Sequence, residues 1–209
     1  MKLEERVCSM RNFFNEKASG YDEVHAALMD TKHALTRSIP LCAKKILDLG
    51  VGTGLELYDL FERIPDAQVT GIDISENMLE KLKTRPFINR VTLLCGNFFE
   101  LDFGKDYDAV ISSSALHHFM PNDKQLLFEK IFRALKPGGC FLNTDCIANT
   151  PDEESDALEY YLQNKDREEH IDTPLAWQTE QALLIACGFQ NVTFTDLQNP
   201  LYKLCIAKK

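Results

Sequence analysis

The chain has 209 residues, of which 44% are hydrophobic and 26% are charged, a balance that is ordinary for a globular protein with a buried core. Its formal net charge of −9 disfavours a broad footprint on nucleic acid or anionic lipid, and no apolar run approaches the roughly 18 residues that span a bilayer. The seven cysteines include no CxxC pair and the N-terminus has no apolar signal core, so we expect free, mostly buried thiols in a cytoplasmic protein without disulfides or a metal site.

The N-terminal segment predicts a helical cap. One helix is expected over 21–39, because Val24, Leu28 and Leu35 recur on one face and Pro40 ends the pattern. We expect this cap to form one wall of a substrate site.

Strands and helices then alternate. Apolar strands are predicted at 44–49, 68–74, 91–95, 107–113 and 140–146. Amphipathic helices are predicted between them at 55–64, 75–84 and 122–135, with Ser75 and Asn122 as N-caps of the last two. This rhythm predicts a parallel sheet that is covered by helices on both faces.

The pattern changes after residue 150. An acidic helical stretch over 151–170 is followed by a predicted helix at 178–187 and by two strands at 191–197 and 201–209 that can pair as a hairpin. The predicted fold is α/β: a Rossmann-like, doubly wound, mostly parallel seven-stranded sheet with a C-terminal antiparallel hairpin, an N-terminal helical cap and a helical insertion after strand 5. We expect a single domain over 1–209, divided into a cap (1–40), a cofactor-binding core (41–147), an insertion (148–176) and a final helix with the strand pair (177–209).

A glycine-rich turn follows the first strand in "ILDLGVGTG", where Gly50, Gly52 and Gly54 occupy alternate positions. Glycine permits a sharp turn and close approach of a ligand, and a helix start offers unpaired N–H groups. Ligands bind at the carboxyl ends of parallel strands, so the turn predicts a ligand site rather than a purely structural bend. Asp48 suits a ligand that carries an ammonium group.

Further polar groups follow the next strands. Asp73 ends the second strand, where a carboxylate can accept hydrogen bonds from ribose hydroxyls. Ile74 and Met78 could bracket an adenine ring or could be plain core residues. In "GNFFE", Asn97 could bond the adenine amino group with Phe98 beside the ring, or the segment could be a simple turn.

Together these segments resemble a known family. "ILDLGVGTG", "GIDIS", "GNFFE", "YDAVISSSALHHF" and "LKPGG" have the order and spacing of class I S-adenosylmethionine-dependent methyltransferases over about residues 11–147, and "FFNEKASGYDE" is similar to a segment of their small-molecule and tRNA-modifying branches. The resemblance implies S-adenosyl-L-methionine as the cofactor. Asn97 departs from the pattern, since many relatives have aspartate there.

The resemblance also implies roles for individual residues. Asp48 and the backbone around Gly50 and Gly52 would hold the methionine moiety, and Asp73 would hold the ribose. Backbone carbonyls at Ser112 and Ser113 would meet the methionine ammonium. The adenine would lie among Ile74, Met78, Asn97 and Phe98, and Tyr21 would close over the methionine carboxylate.

The acceptor side is less defined. His117 and His118 follow the fourth strand, and either could act as a general base or simply shape the loop. Candidate substrate contacts are Tyr160, Arg167 and Trp177, although Trp177 could instead pack under the last helix.

These observations predict methyl transfer to a small-molecule acceptor by in-line displacement. One alternative is modification of a tRNA wobble uridine, because the insertion is similar to that of enzymes that finish a carboxymethoxy modification there. A nicotinamide oxidoreductase is disfavoured, because Leu55 stands at the third glycine position of G-x-G-x-x-G. A non-catalytic cofactor-binding subunit is a further alternative, and the oligomeric state is left open.

Overall fold

A computed structural model describes residues 3–165, 170 and 172–209. Its α-helices are α1 (Leu3–Lys17), α2 (Tyr21–His25), α3 (Met29–Ser38), α4 (Leu55–Arg63), α5 (Glu76–Lys83), α6 (Pro121–Ala134), α7 (Pro151–Asn164) and α8 (Trp177–Ala186). Its strands are β1 (Lys45–Leu49), β2 (Gln68–Asp73), β3 (Val91–Cys95), β4 (Tyr107–Ser113), β5 (Leu135–Cys146), β6 (Gln190–Asp196) and β7 (Tyr202–Lys208). Each helix in these ranges is too short or too polar to cross a membrane.

The strands form one seven-stranded sheet in the order β3-β2-β1-β4-β5-β7-β6. Strands β1 to β5 pair in parallel, whereas β7 pairs antiparallel with both β5 and β6. The predicted fold class is therefore confirmed. Because β1 lies between β2 and β4, the strand order reverses beside it, and this switch point opens a crevice at the carboxyl ends of the strands.

Two apolar layers cover the sheet. Alternate residues of β1 point to opposite faces, so Ile46 packs against α3, α4 and α5, whereas Leu47 packs on the side covered by α6. Phe128 of α6 is fully buried, and burial of a side chain of this size contributes about 1.5–3 kcal/mol. Coverage of both faces explains why the strands are continuously apolar.

The predicted helix over 21–39 is interrupted. A 3₁₀ turn at Ala26–Leu28 separates α2 from α3, and the Thr31 hydroxyl donates to the Leu28 carbonyl at 2.7 Å. Val24 faces solvent, with 74% of it exposed, so the predicted single apolar face is wrong there.

Of the two predicted N-caps, Ser75 is correct and Asn122 is wrong. Ser75 caps α5 by accepting a hydrogen bond from the Met78 N–H at 3.2 Å, as predicted. Asn122 is not a cap, because α6 begins at Pro121, a residue that suits the first helical position. The predicted helix over 151–170 ends at residue 164, and 166–169 and 171 lie outside the described residues.

The cysteine prediction is partly wrong. The described cysteines are free, as expected, and Cys140 and Cys205 are buried. However, Cys8, Cys42 and Cys95 are exposed, so these three thiols are accessible to solutes.

Candidate functional site

A cleft lies at the switch point, beneath α1 and α2. The loops after β1, β2, β3 and β4 all contribute to it, as expected for the carboxyl edge of a parallel sheet. Its lining residues are Val7, Met10, Phe14, Tyr21, Gly50, Gly52, Asp73, Ile74, Met78, Gly96, Asn97, Phe98, Ser114, Ala115, His118 and Phe119.

The glycine turn is shaped by close packing. Gly50 has a φ of +79°, and a Cβ at this position would lie 2.5 Å from the Cβ of Ala115. A residue with a side chain is therefore excluded both by backbone strain and by contact. At Gly52, by contrast, a Cβ would meet nothing closer than 3.9 Å, beside the Tyr21 ring, so the missing side chain leaves room in the cleft.

The N–H groups of this turn are engaged inside the protein. Those of Gly50 and Val51 donate to the Ile72 carbonyl at 2.8 and 3.1 Å, and that of Gly52 donates to Asp73 Oδ2 at 2.8 Å. These three groups hold the turn against β2, so they are not free to donate to a ligand.

The Asp73 carboxylate holds the glycine turn in place and also lines the cleft. Its Oδ1 accepts from the Ser75 N–H at 2.8 Å, and 8% of the residue is exposed. Burial raises the pKa of Asp73 to about 6, against the opposing effect of hydrogen bonds from Ser75 and Gly52. The carboxylate is therefore ionised at neutral pH and can accept further hydrogen bonds from a ligand.

An apolar slot extends from Asp73. Ile74, Met78 and Phe98 line it, so the predicted bracket faces the cleft. Asn97 also lines it, but its Nδ2 donates to Glu100 Oε1 and its Oδ1 accepts from the Phe99 N–H, both at 3.1 Å. The Asn97 amide thus shapes the local turn, which is the simpler of the two predicted roles.

Asp48 lies beneath the turn, outside the lining. It is 1% exposed, and burial followed by the charge of Glu56 raises its pKa well above the ordinary value. Buried Lys32 donates to Glu56 Oε2 at 2.9 Å. The Asp48 and Glu56 carboxyl groups hydrogen-bond to each other, and Asp48 Oδ2 and Glu56 Oε1 have no other partner within the described ranges. Lys32 and Glu56 were not predicted from the sequence, and they link α3 and α4 under the glycine turn.

Three other predicted cofactor residues also lie outside the lining. The Ser112 hydroxyl donates to the Leu49 carbonyl at 2.8 Å, and Ser113 Oγ accepts from Lys32 Nζ at 3.4 Å. Gly54, at the start of α4, packs against Leu82 of α5. Ser114, with a left-handed φ of 55°, turns the chain so that it lines the cleft in place of the two preceding serines.

The two predicted histidines have different environments. His117 Nδ1 pairs with Asp145, whose Oδ2 accepts from the His117 N–H at 3.1 Å, and His117 Nε2 lies 3.3 Å from Asp172 Oδ1. Burial lowers the pKa of His117, but Asp145 and then Asp172 outweigh it and raise the value to about 10. His117 is therefore charged at neutral pH, with both ring nitrogens engaged.

His118 lines the cleft, whereas His117 lies behind it. Its Nδ1 is 3.2 Å from Asp172 Oδ1, and its Nε2 is 3.5 Å from Nε2 of His170. Burial, followed by the charge of His117, lowers the pKa of His118 to about 3. The ring is neutral, and of the two predicted histidines it is the one that a ligand in the cleft can reach.

Of the predicted substrate residues, Tyr160 and Trp177 are not among those that line this cleft. Tyr160 lies on α7 with 51% exposed, and Trp177 packs near Phe194 with ring centroids 6.3 Å apart, which favours its packing role. Arg167 lies outside the described residues.

The wall opposite the glycine turn comes instead from α1, through Met10 and Phe14. Buried Arg6 of the same helix donates to the His118 carbonyl and lies over the Tyr161 ring at 4.8 Å. These contacts join α1 to α7 and to the histidine turn. We expected the N-terminal cap to form a wall of the site, but no sequence pattern marks these side chains.

Comparisons with known proteins identify the family. A model described as a methyltransferase domain matches residues 46–139, which contain the glycine turn and Asp73. The chain is 30% identical over 137 residues to a malonyl-[acyl-carrier protein] O-methyltransferase of Priestia megaterium. This match covers 64% of this chain and 49% of that protein. It is 35% identical over 173 residues to a demethylmenaquinone methyltransferase of Lactococcus lactis. This match covers 77% of this chain and 66% of that protein.

A solved structure of human N-acetylserotonin methyltransferase in complex with S-adenosylmethionine shares the fold, with a TM-score of 0.73 at 20% identity over 95% of this chain and 56% of that chain. The chain spans between 49% and 66% of the length of the two curated relatives. The sequence matches favour methyl transfer over the nicotinamide alternative. The chain belongs to the class I S-adenosylmethionine-dependent methyltransferases.

Proposed function

We propose that this protein transfers a methyl group from S-adenosylmethionine to a small-molecule acceptor. The observation that carries the proposal is the position of Asp73. Its buried carboxylate lies between a glycine turn and an apolar slot in one cleft, and His118 and Phe119 line that same cleft.

The residues present fit the cofactor. Asp73 can accept hydrogen bonds from the ribose, and Ile74, Met78 and Phe98 provide flat apolar contact for the adenine. The space left by Gly52 beside Tyr21 suits the amino-acid portion. S-adenosylmethionine supplies an electrophilic methyl group on a sulfonium when it is bound.

The protein's own task is then alignment and exclusion of water. Alignment of two reactants can lower a barrier by up to about 7–11 kcal/mol. Met10, Phe14 and Phe119 form an apolar wall that keeps water from the acceptor end of the cleft. The neutral ring of His118 can accept a hydrogen bond there, but its low pKa makes it a weak general base.

The covered cleft and the acidic chain favour a small acceptor over tRNA. Residues of α1 lie across the cleft, and the net charge of −9 opposes extended phosphate contacts. Two of the relatives described above are named for small or carrier-bound acceptors, malonyl-[acyl-carrier protein] and demethylmenaquinone.

A metabolite screen that monitors S-adenosylhomocysteine release tests the proposal. Turnover with a small molecule is the expected result. Turnover only with tRNA, accompanied by binding that weakens steeply with salt, would favour the wobble-uridine alternative. Tight calorimetric binding of NADH but not of S-adenosylhomocysteine would reject both.

Replacing Asp73 by alanine is expected to weaken S-adenosylhomocysteine binding by about 1–3 kcal/mol, the range for hydrogen bonds lost at a buried polar site. That loss corresponds to roughly a 5- to 150-fold higher dissociation constant by calorimetry. Exposed Asp66 offers a matched control, and Asp66→Ala should bind like the native chain. Equal affinity of the two variants would show that Asp73 does not hold the ribose.

Cofactor affinity should also depend on pH. Because the pKa of Asp73 is raised to about 6, this group is protonated in the unliganded protein as the pH falls below that value. If the ligand needs the ionised carboxylate, its affinity is highest above pH 6 and falls by about tenfold from pH 7.5 to pH 5. Asp73→Asn, which has no such proton, should show weak affinity with a flat profile over this range. A native profile as flat as that of Asp73→Asn would contradict the assignment.

A further inference from the structure

We infer that His117, His118 and Asp172 form a binding site for a divalent transition-metal ion such as Zn²⁺, adjoining the acceptor end of the cleft. Imidazole nitrogen and carboxylate oxygen are the donor types that these ions take in proteins. No metal site was expected from the sequence, because the cysteines form no CxxC pair and Asp172 is separated from the histidine pair by α6, β5 and α7.

The donor atoms of the three residues lie close enough together to bind one ion. Asp172 Oδ1 lies 3.3 Å from His117 Nε2 and 3.2 Å from His118 Nδ1. One donor atom from each residue falls within 4.8 Å of the other two. An ion bound at about 2.0–2.2 Å from each donor keeps neighbouring donors roughly 3–4 Å apart, so small side-chain rotations suffice.

Asp145 holds the far ring nitrogen of His117, as carboxylates do for metal-ligating histidines. Asp145 is fully buried and pairs with His117 Nδ1, which directs Nε2 toward Asp172. Asp145 is itself fixed by the backbone N–H groups of Leu116 at 2.9 Å and His117 at 3.1 Å. A carboxylate that holds the far nitrogen of a ligating histidine sets both its orientation and its tautomer.

The third donor atom, His118 Nδ1, is buried and faces the Asp172 carboxylate. His118 is 5% exposed, and its Nδ1 lies 3.2 Å from Asp172 Oδ1 with no other hydrogen-bond partner within the described parts of the chain. When this nitrogen carries no proton, its lone pair faces the carboxylate, which is unfavourable in a buried site unless a cation lies between them. Coordination of an ion that also binds Asp172 would satisfy this nitrogen. The ion would take the place of the proton between His117 and Asp172, which is released to solvent.

Asp172 is held near the two histidines and is also open to solvent. The Thr173 N–H donates to the His117 carbonyl at 2.9 Å and so ties this segment to the histidine turn. Asp172 itself is 49% exposed, which gives an ion a path from solvent. His170 Nε2 lies 3.5 Å from His118 Nε2, so it can accept the hydrogen bond of a His118 ring that binds the ion through Nδ1. Any use of the ion to orient a methyl acceptor rests on the proposed function, whereas ion binding itself does not.

The test measures ion binding without cofactor or acceptor. Chelator-treated protein is titrated with Zn²⁺ by calorimetry and with Co²⁺ by visible absorption, which reports coordination directly. We expect one ion per chain and at least tenfold weaker binding in Asp172→Ala and in His118→Asn. His33→Ala should bind like the native chain, because His33 lies on α3 away from the cluster.

The exposed thiols need a separate control. A variant with Cys8, Cys42 and Cys95 all replaced by serine should keep the ion site, because these residues are not among its donors. The inference fails if the native chain binds no ion, if Asp172→Ala binds as tightly as the native chain, or if the serine variant loses binding. S-adenosylhomocysteine titration of the same native preparation reports separately on the proposed function.

Discussion

Replacing Lys32 by methionine is expected to lower the free energy of unfolding by about 3–5 kcal/mol, the usual effect of removing one partner from a buried ion pair. Lys32 and Glu56 are 4% and 3% exposed in their side chains, and the buried Asp48 carboxyl group hydrogen-bonds to Glu56. The methionine variant leaves Glu56 buried without its cation. Urea denaturation at pH 7.5 measures the difference.

A surface pair gives the matched control. Lys83 and Glu80 on α5 are 54% and 65% exposed, so Lys83→Met should change stability by less than about 1 kcal/mol. The double variant Lys32→Met with Glu56→Gln should regain part of the loss, because the isolated charge is removed. If Lys32→Met were as stable as Lys83→Met, the pair would have no structural role under the turn.

Gly50→Ala is expected to lower the free energy of unfolding by about 2–5 kcal/mol. A left-handed backbone disfavours a side chain by about 1–2 kcal/mol, and overpacking against Ala115 adds about 1–3 kcal/mol. The same displacement of the turn should weaken S-adenosylhomocysteine binding, since Gly50 and Ala115 both line the cleft. Thermal unfolding and calorimetry measure the two effects.

Two further variants separate backbone strain from contact. Ala115→Gly in the Gly50→Ala background removes the facing Cβ and should restore part of the stability, whereas the strain remains. Gly20→Ala is the control, because a Cβ there has nothing within 4 Å among the described residues and Gly20 has an ordinary negative φ of −105°. If Gly50→Ala were as mild as Gly20→Ala, the close packing of the turn would be unimportant.

Much of the cofactor side could be predicted from the sequence, because it depends on local rules. Residues directly after parallel strands meet at one edge of the sheet, and this rule brought Gly50, Asp73 and Asn97 into one cleft. At the end of β4 the rule pointed to Ser112 and Ser113. There Ser114 lines the cleft instead, because its backbone is left-handed. A serine carries no sequence signal for that conformation.

The acceptor side depends on contacts that no local pattern encodes. Asp172 lies beside His117, where the Thr173 N–H donates to the His117 carbonyl. Lys32 of α3 pairs with Glu56 of α4, 24 residues later. Both contacts join residues that are distant along the chain, so no local pattern marks Lys32 or Asp172 as site residues.

The placement of Arg6 has a consequence for the reaction cycle. This guanidinium holds α1 to the His118 carbonyl and, at 3.5 Å, to the Thr173 hydroxyl, so α1 is fixed over the cleft near His118. If a spent ligand leaves the cleft past α1, these bonds have to open, and the opening of the first helix would then limit turnover independently of the chemical step.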